Sequence, residues 1–179
     1  MQLRDLLQKI EPLDFFGQSL APVAGIACDS RKVGRDFIFA AIRGQRFDGH
    51  DFLPPAWEGG ANTVLSEQPP SYFSLQQWNW IHVADVRRAM SLAAFEIHGR
   101  PDRRIPFIGV TGTSGKTTVT YLLEAVFAAT GQSPAVIGTV NYRFAGQDAA
   151  ASHTTPESPD LAAFAGSVAS QNGGPLIME

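Results

Sequence analysis

The segment Gly109–Thr118, GVTGTSGKTT, combines glycines, hydroxyl side chains and a lysine in an order that is typical of phosphate-binding loops. Gly112 and Gly115 allow the backbone to turn its N–H groups toward an anion, and the start of the following helix adds a partial positive charge. Lys116 is expected to contact the β- and γ-phosphates of a nucleotide, and the Thr117 hydroxyl is expected to bind Mg²⁺. The predicted nucleotide-binding residues are Gly112, Thr113, Ser114, Gly115, Lys116, Thr117 and Thr118.

The loop departs from the general pattern G-x-x-x-x-G-K-[ST] at one position. Val110 occupies the place of the first glycine, and Gly112 provides the tight turn instead. The alternative interpretation of this segment is a glycine-rich turn with a solvated lysine. We prefer a phosphate-binding loop because the motif lies between an apolar strand and a helix, which is the context that phosphate binding requires.

The residues around the loop predict alternating strands and helices. Apolar residues at helical spacing, with Gly131 at their end, predict a helix directly after the loop. Those apolar residues are Val119, Leu122, Leu123, Val126 and Phe127. The other predicted elements are strands at 106–110, 134–139 and 175–179, a loop containing HTTPESPD, and a helix at Pro159–Ser170. This β-α-β order, together with the loop, predicts a parallel-sheet P-loop domain that is truncated after its third strand.

The preceding part of the chain predicts a small mixed α/β domain, in which short β-favouring runs alternate with turns. These runs are Asp36–Gly44, Ala61–Ser66 and Trp80–Ala84. A helix follows Asp85, which can cap it, and Gly99 and Pro101 provide its end. We therefore expect an α/β protein with one domain at residues 1–100 and a second at residues 101–179.

The composition excludes several classes of protein. The chain has 179 residues, of which 44% are hydrophobic and 17% are charged, as in ordinary globular proteins. Its formal net charge of -3 and its scattered basic residues argue against nucleic acid as a partner. Cys28 is the only cysteine, and no apolar run approaches the ~20 residues of a membrane helix, so we expect a cytoplasmic protein without a membrane partner. The sequence carries no signature of an oligomeric state.

Two segments of the chain resemble one family of enzymes. TGTSGKTT resembles the ATP-binding loop of the Mur ligases. Cys28–Phe52, CDSRKVGRDFIFAAIRGQRFDGHDF, resembles the amino-terminal substrate module that the MurE and MurF branches of this family share. Ile137–Thr139, Thr154–Pro156 and the final Met-Glu pair are similar to the MurE branch, whereas a serine at the position of Ser114 is commoner in the MurF branch.

The resemblance implies an ATP-dependent ligase that joins an acid to an amino acid in peptidoglycan precursor synthesis. Enzymes of the MurE branch add the third amino acid to UDP-MurNAc-L-Ala-D-Glu through an acyl phosphate. UDP-MurNAc-dipeptide and an amino acid are therefore the expected substrates, and ATP and Mg²⁺ are the expected cofactors. The alternatives are a MurF-type ligase step and a non-catalytic module that binds a UDP-sugar and a nucleotide.

The resemblance also assigns roles to single residues. The implied substrate-binding residues are Ser30, Gln45, Arg46, Phe47, Thr154 and Thr155, the implied catalytic residue is Lys116, and the implied metal ligands are Thr117 and Glu179. The resemblance implies that the first four of these residues contact the uridine diphosphate end of the substrate. It implies that the two threonines contact the end near the γ-phosphate. An arginine suits a pyrophosphate because its planar fork can donate two hydrogen bonds to it. His50 and His82 are interpreted as structural residues.

The resemblance covers essentially all 179 residues, but only about the first third of a full ligase. It implies that residues 1–100 form a UDP-MurNAc-binding domain and that residues 101–179 form the first part of a central ATP-binding domain. The remainder of that domain and the carboxyl-terminal ligase domain would follow Glu179. We therefore expect the chain by itself to be inactive as a ligase.

Overall fold

The computed structural model describes residues 1–71, 78–150 and 156–179. Of these, residues 148–150 are described by their backbone alone. The chain divides into two compact units, Met1–Ile97 and His98–Glu179, and this division lies close to the boundary that the sequence predicts near Pro101. Each unit is an α/β structure with a five-stranded sheet, which confirms the predicted fold class.

The first unit consists, within its described residues, of three α-helices, two 3₁₀ helices and five strands. The α-helices are α1 (Leu3–Ile10), α2 (Leu53–Glu58) and α3 (Val86–Ile97), and the 3₁₀ helices are Ser30–Lys32 and Gly49–Phe52. The strands are β1 (Asp14–Phe16), β2 (Gly25–Ala27), β3 (Phe37–Ala40), β4 (Ala61–Ser66) and β5 (Asn79–His82). Strand β4 has the predicted bounds. Strand β3 ends earlier than predicted because the Ile42 N–H turns back and donates to the Ala40 carbonyl (3.1 Å).

The sheet of the first unit has the strand order β1-β5-β4-β3-β2, in which β2 to β5 are parallel and β1 is antiparallel to β5. Phe39, Val64 and Trp80 are paired across three adjacent strands and form a core with α2. Leu65 and Ile81 lie one residue further along, so they point to the opposite face, and both are fully buried. Both faces of the sheet are buried, and the loops that follow the parallel strands lie at its carboxyl edge.

Helices α1 and α3 contact each other, and α3 also contacts β2 and β4. Helix α1 buries Leu3, Leu6 and Ile10, which recur at helical spacing. Helix α3 begins where the sequence predicts, because the Asp85 carboxylate accepts a hydrogen bond from the Arg88 N–H (2.9 Å). A cap of this kind typically stabilises a helix by about 1 kcal/mol.

The second unit has two α-helices, a short 3₁₀ helix and five strands among its described residues. The helices are α4 (Lys116–Ala129), α5 (Ser158–Ser170) and the 3₁₀ helix Pro101–Arg103. The strands are β6 (Phe107–Gly109), β7 (Ala135–Ile137), β8 (Asn141–Phe144), β9 (Gln147–Ala150) and β10 (Leu176–Met178). Their order is β6-β10-β7-β8-β9, and the first three are parallel. No helix among the described residues of either unit is long and apolar enough to cross a membrane.

The hairpin formed by β8 and β9 was not predicted, because the sequence suggested only a loop between β7 and α5. Strand β8 pairs antiparallel with both β7 and β9, so two antiparallel strands extend the parallel sheet. The turn residues Ala145 and Gly146 have φ values of 52° and 76°, as a two-residue hairpin turn requires. Alanine is an unusual residue at such a position, and the stronger Asn-Gly or Asp-Gly signal is missing from this segment.

The two α-helices of the second unit differ in burial. Helix α5 buries Ala162, Ala165 and Val168 in the core of the unit. Helix α4 contacts β7 and β10, yet three of the five apolar residues that predict it are exposed. The exposed residues are Val119, Leu122 and Val126, whereas Leu123 and Phe127 are half-buried. Helix α4 is therefore apolar on more than one side, a pattern that is typical of helices covered on more than one side.

Gly49→Ala is expected to destabilise the first unit by about 1–3 kcal/mol because the added methyl group overlaps backbone atoms. A Cβ atom at Gly49 would lie 2.5 Å from the Ile42 nitrogen and 2.7 Å from the Ile42 carbonyl oxygen. The matched control is Gly59→Ala, where φ is -71° and the nearest atoms would lie at 3.4 Å. Urea denaturation measures both variants, and the control should stay within about 0.5 kcal/mol of the wild type. Equal stability of the two variants would contradict this packing.

Candidate functional site

The predicted phosphate loop joins β6 to α4, and residues 111–115 are exposed. Gly112 has a φ of 154° and Gly115 a φ of 79°, values that residues with side chains rarely adopt. Gly115 is the N-cap residue of α4, and no side chain caps the helix there. The first-turn N–H groups of α4 are thus left without intrahelical acceptors next to the loop, which is the arrangement that binds anions.

Lys116 is the first residue of α4, and its side chain folds back over the loop. Its Nζ donates a hydrogen bond to the Gly112 carbonyl (2.9 Å). The ammonium group therefore lies at the positive end of the helix dipole. A hydrogen bond between a cation and a neutral carbonyl is weaker than one to an anionic oxygen, so a phosphate group would displace the carbonyl from Lys116.

Strand pairing holds Glu179 beside the same loop. Strand β10 lies between β6 and β7, and Met178 is paired with both Gly109 and Ile137. The Val110 N–H donates to the Met178 carbonyl (2.7 Å), and the Glu179 N–H donates to the Ile137 carbonyl (3.0 Å). Glu179 thus lies at the carboxyl edge of the sheet, from which the phosphate loop also leaves.

Three threonine hydroxyls donate hydrogen bonds to the Glu179 carboxylate. Thr117 and Thr139 donate to Oε2 at 3.1 and 2.8 Å, and Thr120 shares its proton between the Thr117 carbonyl (2.8 Å) and Oε1 (3.4 Å). The structure therefore brings the predicted pair Thr117 and Glu179 together. Thr120 and Thr139 were not predicted from the sequence, although the position of each in the chain could have indicated it. Thr120 lies one helical turn after Thr117 on the same face, and Thr139 follows the strand beside β10.

The environment of Glu179 favours its charged form. Burial raises the pKa of Glu179, but the hydrogen bonds from Thr139, Thr117 and Thr120 lower it by more, so the net pKa lies below its ordinary value. Gly138 makes room for this arrangement, since a Cβ atom there would lie 2.8 Å from Glu179 Oε1. The carboxylate is consequently ionised at neutral pH and fixed in position by its donors.

The chemistry of this cluster suits a hard divalent cation. An ionised carboxylate and a threonine hydroxyl supply oxygen donors of the kind that Mg²⁺ prefers. The part of the chain that the structure describes contains no group of three or more His, Cys, Asp or Glu that could hold a metal. A cation beside Thr117 and Glu179 would therefore take most of its ligands from phosphate oxygens and water, as Mg²⁺ commonly does in nucleotide sites.

The other predicted residues that the structure describes lie in the first unit. Ala27 of β2 is paired with Phe39 of β3, and these strands are parallel, so the segments that follow them leave the sheet at one edge. Ser30 begins the 3₁₀ helix after β2, and residues 45–47 lie in the loop after β3. Ser30, Gln45, Arg46 and Phe47 are thus all carried by loops at the carboxyl edge of this sheet.

Asp29 fixes the segment that carries Ser30. Its Oδ1 accepts hydrogen bonds from the Arg31 N–H (3.0 Å) and from Arg31 Nε (2.9 Å), and its Oδ2 accepts one from Arg31 Nη2 (2.7 Å). The side-chain hydrogen bond from Arg31 lowers the pKa of Asp29 from 3.8 to about 2. The pair therefore stays ionised at any physiological pH and supports the turn that carries Ser30.

Residues 45–47 form the exposed tip of a tight loop. The Gly44 N–H donates to the Phe47 carbonyl (2.9 Å), which closes the turn. The Phe47 side chain is 70% exposed, and its ring lies edge-on to the ring of Phe52 with a centroid distance of 6.4 Å. The loop thus presents an aromatic ring and the Arg46 guanidinium to solvent, groups that can stack on a base and pair with a phosphate.

Two further predicted substrate-binding residues, Thr154 and Thr155, lie outside the residues that the structure describes. Their role near the γ-phosphate stays a prediction. The described chain resumes at the buried residue Pro156, and the helix predicted from Pro159 to Ser170 is observed as α5.

Comparisons with known proteins cover both units. Residues 22–110 match the family profile described as "Mur ligase family, catalytic domain", and residues 110–179 match the profile described as "Mur ligase middle domain". The chain belongs to the Mur ligase family. The resemblance that the phosphate loop and the segment Cys28–Phe52 indicate in the sequence is thereby confirmed.

Individual Mur ligases resemble the chain closely. It is 44% identical over 161 residues to a UDP-N-acetylmuramoyl-L-alanyl-D-glutamate–2,6-diaminopimelate ligase of Geobacter metallireducens, which covers 90% of this chain and 31% of that protein. The ligase of the same name from Geobacter sulfurreducens is 39% identical over 180 residues, covering 100% of this chain and 35% of that protein. A solved structure of a ligase with this name superposes with a TM-score of 0.77 at 26% identity, covering 100% of this chain and 36% of that chain. The chain thus spans about a third of the length of these relatives.

The Asp29 carboxyl group is expected to titrate near pH 2 rather than near 3.8. Because its pKa is depressed in the folded chain, the stabilisation from this pair is present above about pH 3.8 and is lost as the pH falls toward about 2. Carbon-13 NMR of the Asp29 side chain measures this directly. In the variant Arg31→Gln the pKa of Asp29 should rise. An Asp29 pKa that does not respond to this substitution would show that Arg31 does not hold the carboxylate.

Thr139→Val is expected to raise the pKa of Glu179, because the substitution removes the hydroxyl donor at 2.8 Å and keeps the shape of the side chain. The matched control is Thr130→Val, in the same unit, where the hydroxyl donates only to the Phe127 carbonyl (2.7 Å). Carbon-13 NMR titration of the Glu179 side chain should show a higher pKa in Thr139→Val alone. The same pKa in both variants would mean that Thr139 does not support the ionised carboxylate.

Proposed function

We propose that this chain provides the substrate-module and phosphate-loop parts of a Mur ligase of the MurE branch. Such a ligase adds the third amino acid to UDP-MurNAc-L-Ala-D-Glu in peptidoglycan precursor synthesis and uses ATP. The names of the two Geobacter relatives support 2,6-diaminopimelate as that amino acid. The reaction takes place in the cytoplasm, where ATP and the nucleotide-linked precursor are available.

The observation that carries the proposal is the joint placement of an anion site and an ionised carboxylate. Lys116 and the open first turn of α4 provide positive charge, and the Thr117 hydroxyl lies 3.1 Å from Glu179 Oε2. A nucleotide triphosphate with its divalent cation needs both kinds of group side by side. An ordinary glycine-rich turn with a solvated lysine does not require a carboxylate with threonine hydroxyls around it at the same edge of the sheet.

The proposed reaction has two steps. In the first, an oxygen of the substrate carboxylate attacks the γ-phosphorus of ATP, the bond from that phosphorus to the bridging oxygen breaks, and ADP leaves with the electron pair. In the second, the amine of the amino acid attacks the carbonyl carbon of the acyl phosphate, inorganic phosphate leaves, and the nitrogen gives up a proton to form the amide. Phosphoryl transfer depends chiefly on positioning and charge neutralisation.

The residues of the phosphate loop perform that positioning. The loop N–H groups near Gly112 and Gly115 and the first turn of α4 hold the phosphate oxygens. Lys116 exchanges its hydrogen bond to the Gly112 carbonyl for phosphate oxygens and acts as the catalytic residue, because it neutralises charge that develops during transfer. Thr113, Ser114 and Thr118 complete the nucleotide-binding loop.

Thr117 and Glu179 fit Mg²⁺, since one supplies a hydroxyl oxygen and the other an ionised carboxylate at the same edge of the sheet. When bound, the cation would neutralise phosphate charge. Thr120 and Thr139 hold the carboxylate in place from the protein side. At the other end of the substrate, Ser30 and the loop tip 45–47 are the residues proposed to hold uridine diphosphate.

Lys116→Ala is expected to lower the kcat of ATP-dependent ligation by on the order of 10²–10³-fold, because it removes a charge that acts on the transferring phosphoryl group. The variant should be made in a ligase that contains this sequence and has the same length as the Geobacter relatives. A coupled assay that follows ADP release, with 2,6-diaminopimelate and UDP-MurNAc-L-Ala-D-Glu as substrates, measures the effect.

The matched control is Lys9→Ala, which removes an exposed lysine from α1 and should leave kcat unchanged. Thermal unfolding of both variants should match the wild type, because the Lys116 side chain makes only a surface contact with Gly112. Wild-type turnover without ATP, or full activity of Lys116→Ala, would contradict the proposed function. Nucleotide binding without any ligation would favour the non-catalytic alternative.

A further inference from the structure

His50 links the predicted substrate loop of the first unit to the sheet. Its Nδ1 lies 2.5 Å from Asp48 Oδ1, and its Nε2 lies 2.8 Å from the Ser66 hydroxyl oxygen. Asp48 ends the loop that carries residues 45–47, and Ser66 is the last residue of β4. The imidazole therefore spans the gap between a loop and the neighbouring strand, with a hydrogen bond at each end.

The surroundings of His50 fix it in this position. The ring stacks on Trp80 of β5, with centroids 6.2 Å apart and an interplanar angle of 24°. Asp48 Oδ1 also accepts a hydrogen bond from the His50 N–H (3.0 Å), which begins the 3₁₀ helix Gly49–Phe52. The His50 side chain is only 19% exposed. The His50 ring contacts Asp48 and Ser66 through its two nitrogens and Trp80 through its face, so it is more ordered than a solvated histidine of a surface loop.

The order Asp48, His50, Ser66 has the connectivity of a catalytic charge relay, but its burial excludes that chemistry. Ser66 is 0% exposed, and its hydroxyl oxygen also accepts a hydrogen bond from the Gln68 N–H (2.9 Å). A nucleophile must reach a substrate carbonyl, and a fully buried hydroxyl cannot. The hydrogen bonds among Asp48, His50 and Ser66 therefore hold these residues in place and do not activate a nucleophile.

The bridge can form in either protonation state of the imidazole. In the neutral ring, Nδ1–H donates to the Asp48 carboxylate and the Ser66 hydroxyl donates to Nε2. In the charged ring, both nitrogens donate, and the Ser66 oxygen becomes an acceptor. The contacts at both ends are thus compatible with the whole physiological pH range, as a permanent structural link requires.

The geometry points to His50 as a positioning residue for substrate recognition. We propose that the bridge from Asp48 through His50 to Ser66 holds the loop tip 45–47 at the carboxyl edge of the sheet, where Gln45, Arg46 and Phe47 meet a nucleoside diphosphate. This inference rests on the proposed function, because it deepens the role given there to the loop. It also gives a specific function to a histidine that the sequence suggests is merely structural.

The first test measures the order of the loop without any ligand. Two amides report on it, because the Gly44 N–H donates to the Phe47 carbonyl and the Gly49 N–H donates to the Ile42 carbonyl, both at 2.9 Å. In the 179-residue chain, His50→Ala should accelerate hydrogen exchange at both amides by about tenfold or more. Ser66→Ala, a smaller change at the far end of the bridge, should act in the same direction.

Two further variants separate the bridge from a general loss of stability. His50→Gln keeps a hydrogen-bonding group within reach of Ser66 and should restore part of the protection. The matched control is His82→Ala, a histidine of equal burial (18% exposed) on β5 whose ring bonds to the Glu67 carbonyl (3.2 Å). It should leave the exchange of the Gly44 and Gly49 amides unchanged. Unchanged exchange in both His50→Ala and Ser66→Ala overturns the proposal.

The second test measures recognition. UDP is titrated into each variant up to millimolar concentration and followed by NMR shifts of the Gly44–Asp48 amides, with ATP as the comparison ligand. His50→Ala should weaken UDP binding by about tenfold, in line with a loss of preorganisation, and should not change ATP binding. Faster exchange with unchanged UDP affinity overturns the positioning role. A wild-type chain that does not respond to UDP contradicts the proposed function itself and, with it, the recognition role, whatever the exchange data show.

Discussion

The parallel pairing of β10 with β6 is the constraint on which the candidate site of the second unit depends. The hydrogen bond from the Val110 N–H to the Met178 carbonyl, with an N···O distance of 2.7 Å, fixes the register of this strand pair. That register brings Glu179 level with the start of the phosphate loop, although Thr117 and Glu179 are 62 positions apart in the sequence. A shift of the register by one residue would turn the carboxylate to the opposite face of the sheet. The proposed metal ligand Glu179 and the proposed phosphate loop thus lie together because β10 is paired with β6.

Threonine hydroxyl groups surround the carboxylate of this candidate site. Hydrogen bonds from these threonines stabilise the ionised form of Glu179 and lower its pKa below the ordinary value. An ionised carboxylate that is held in this way is a suitable oxygen ligand for a divalent cation. In the first unit, Asp29 accepts hydrogen bonds from Arg31, and Asp48 accepts one from the His50 N–H, so these two carboxylates order their own loops.

Local sequence patterns predicted the fold class, the strand-loop-helix arrangement around Gly112 and Gly115, and strand β4, because these depend on residues that are close in the chain. The β8–β9 hairpin was missed since its turn uses Ala145 in a left-handed conformation without the usual Asn or Asp. Thr120 and Thr139 were missed because their roles depend on which strands become neighbours, and a sequence does not state strand order. Helix α4 was predicted correctly as a helix, but its periodicity did not reveal that Val119 and Leu122 are exposed.

The central claim is that the loop around Gly112 and Gly115 and the carboxylate of Glu179 form one site for a triphosphate with its cation. The most direct test is NMR of the isotope-labelled chain titrated with ATP, with and without Mg²⁺, in the wild type and in Glu179→Gln. We expect shifts of the amides of residues 112–118, and a further change on adding Mg²⁺ that is lost in Glu179→Gln. Shifts confined to other parts of the chain, or a response to Mg²⁺ that persists in Glu179→Gln, would contradict it.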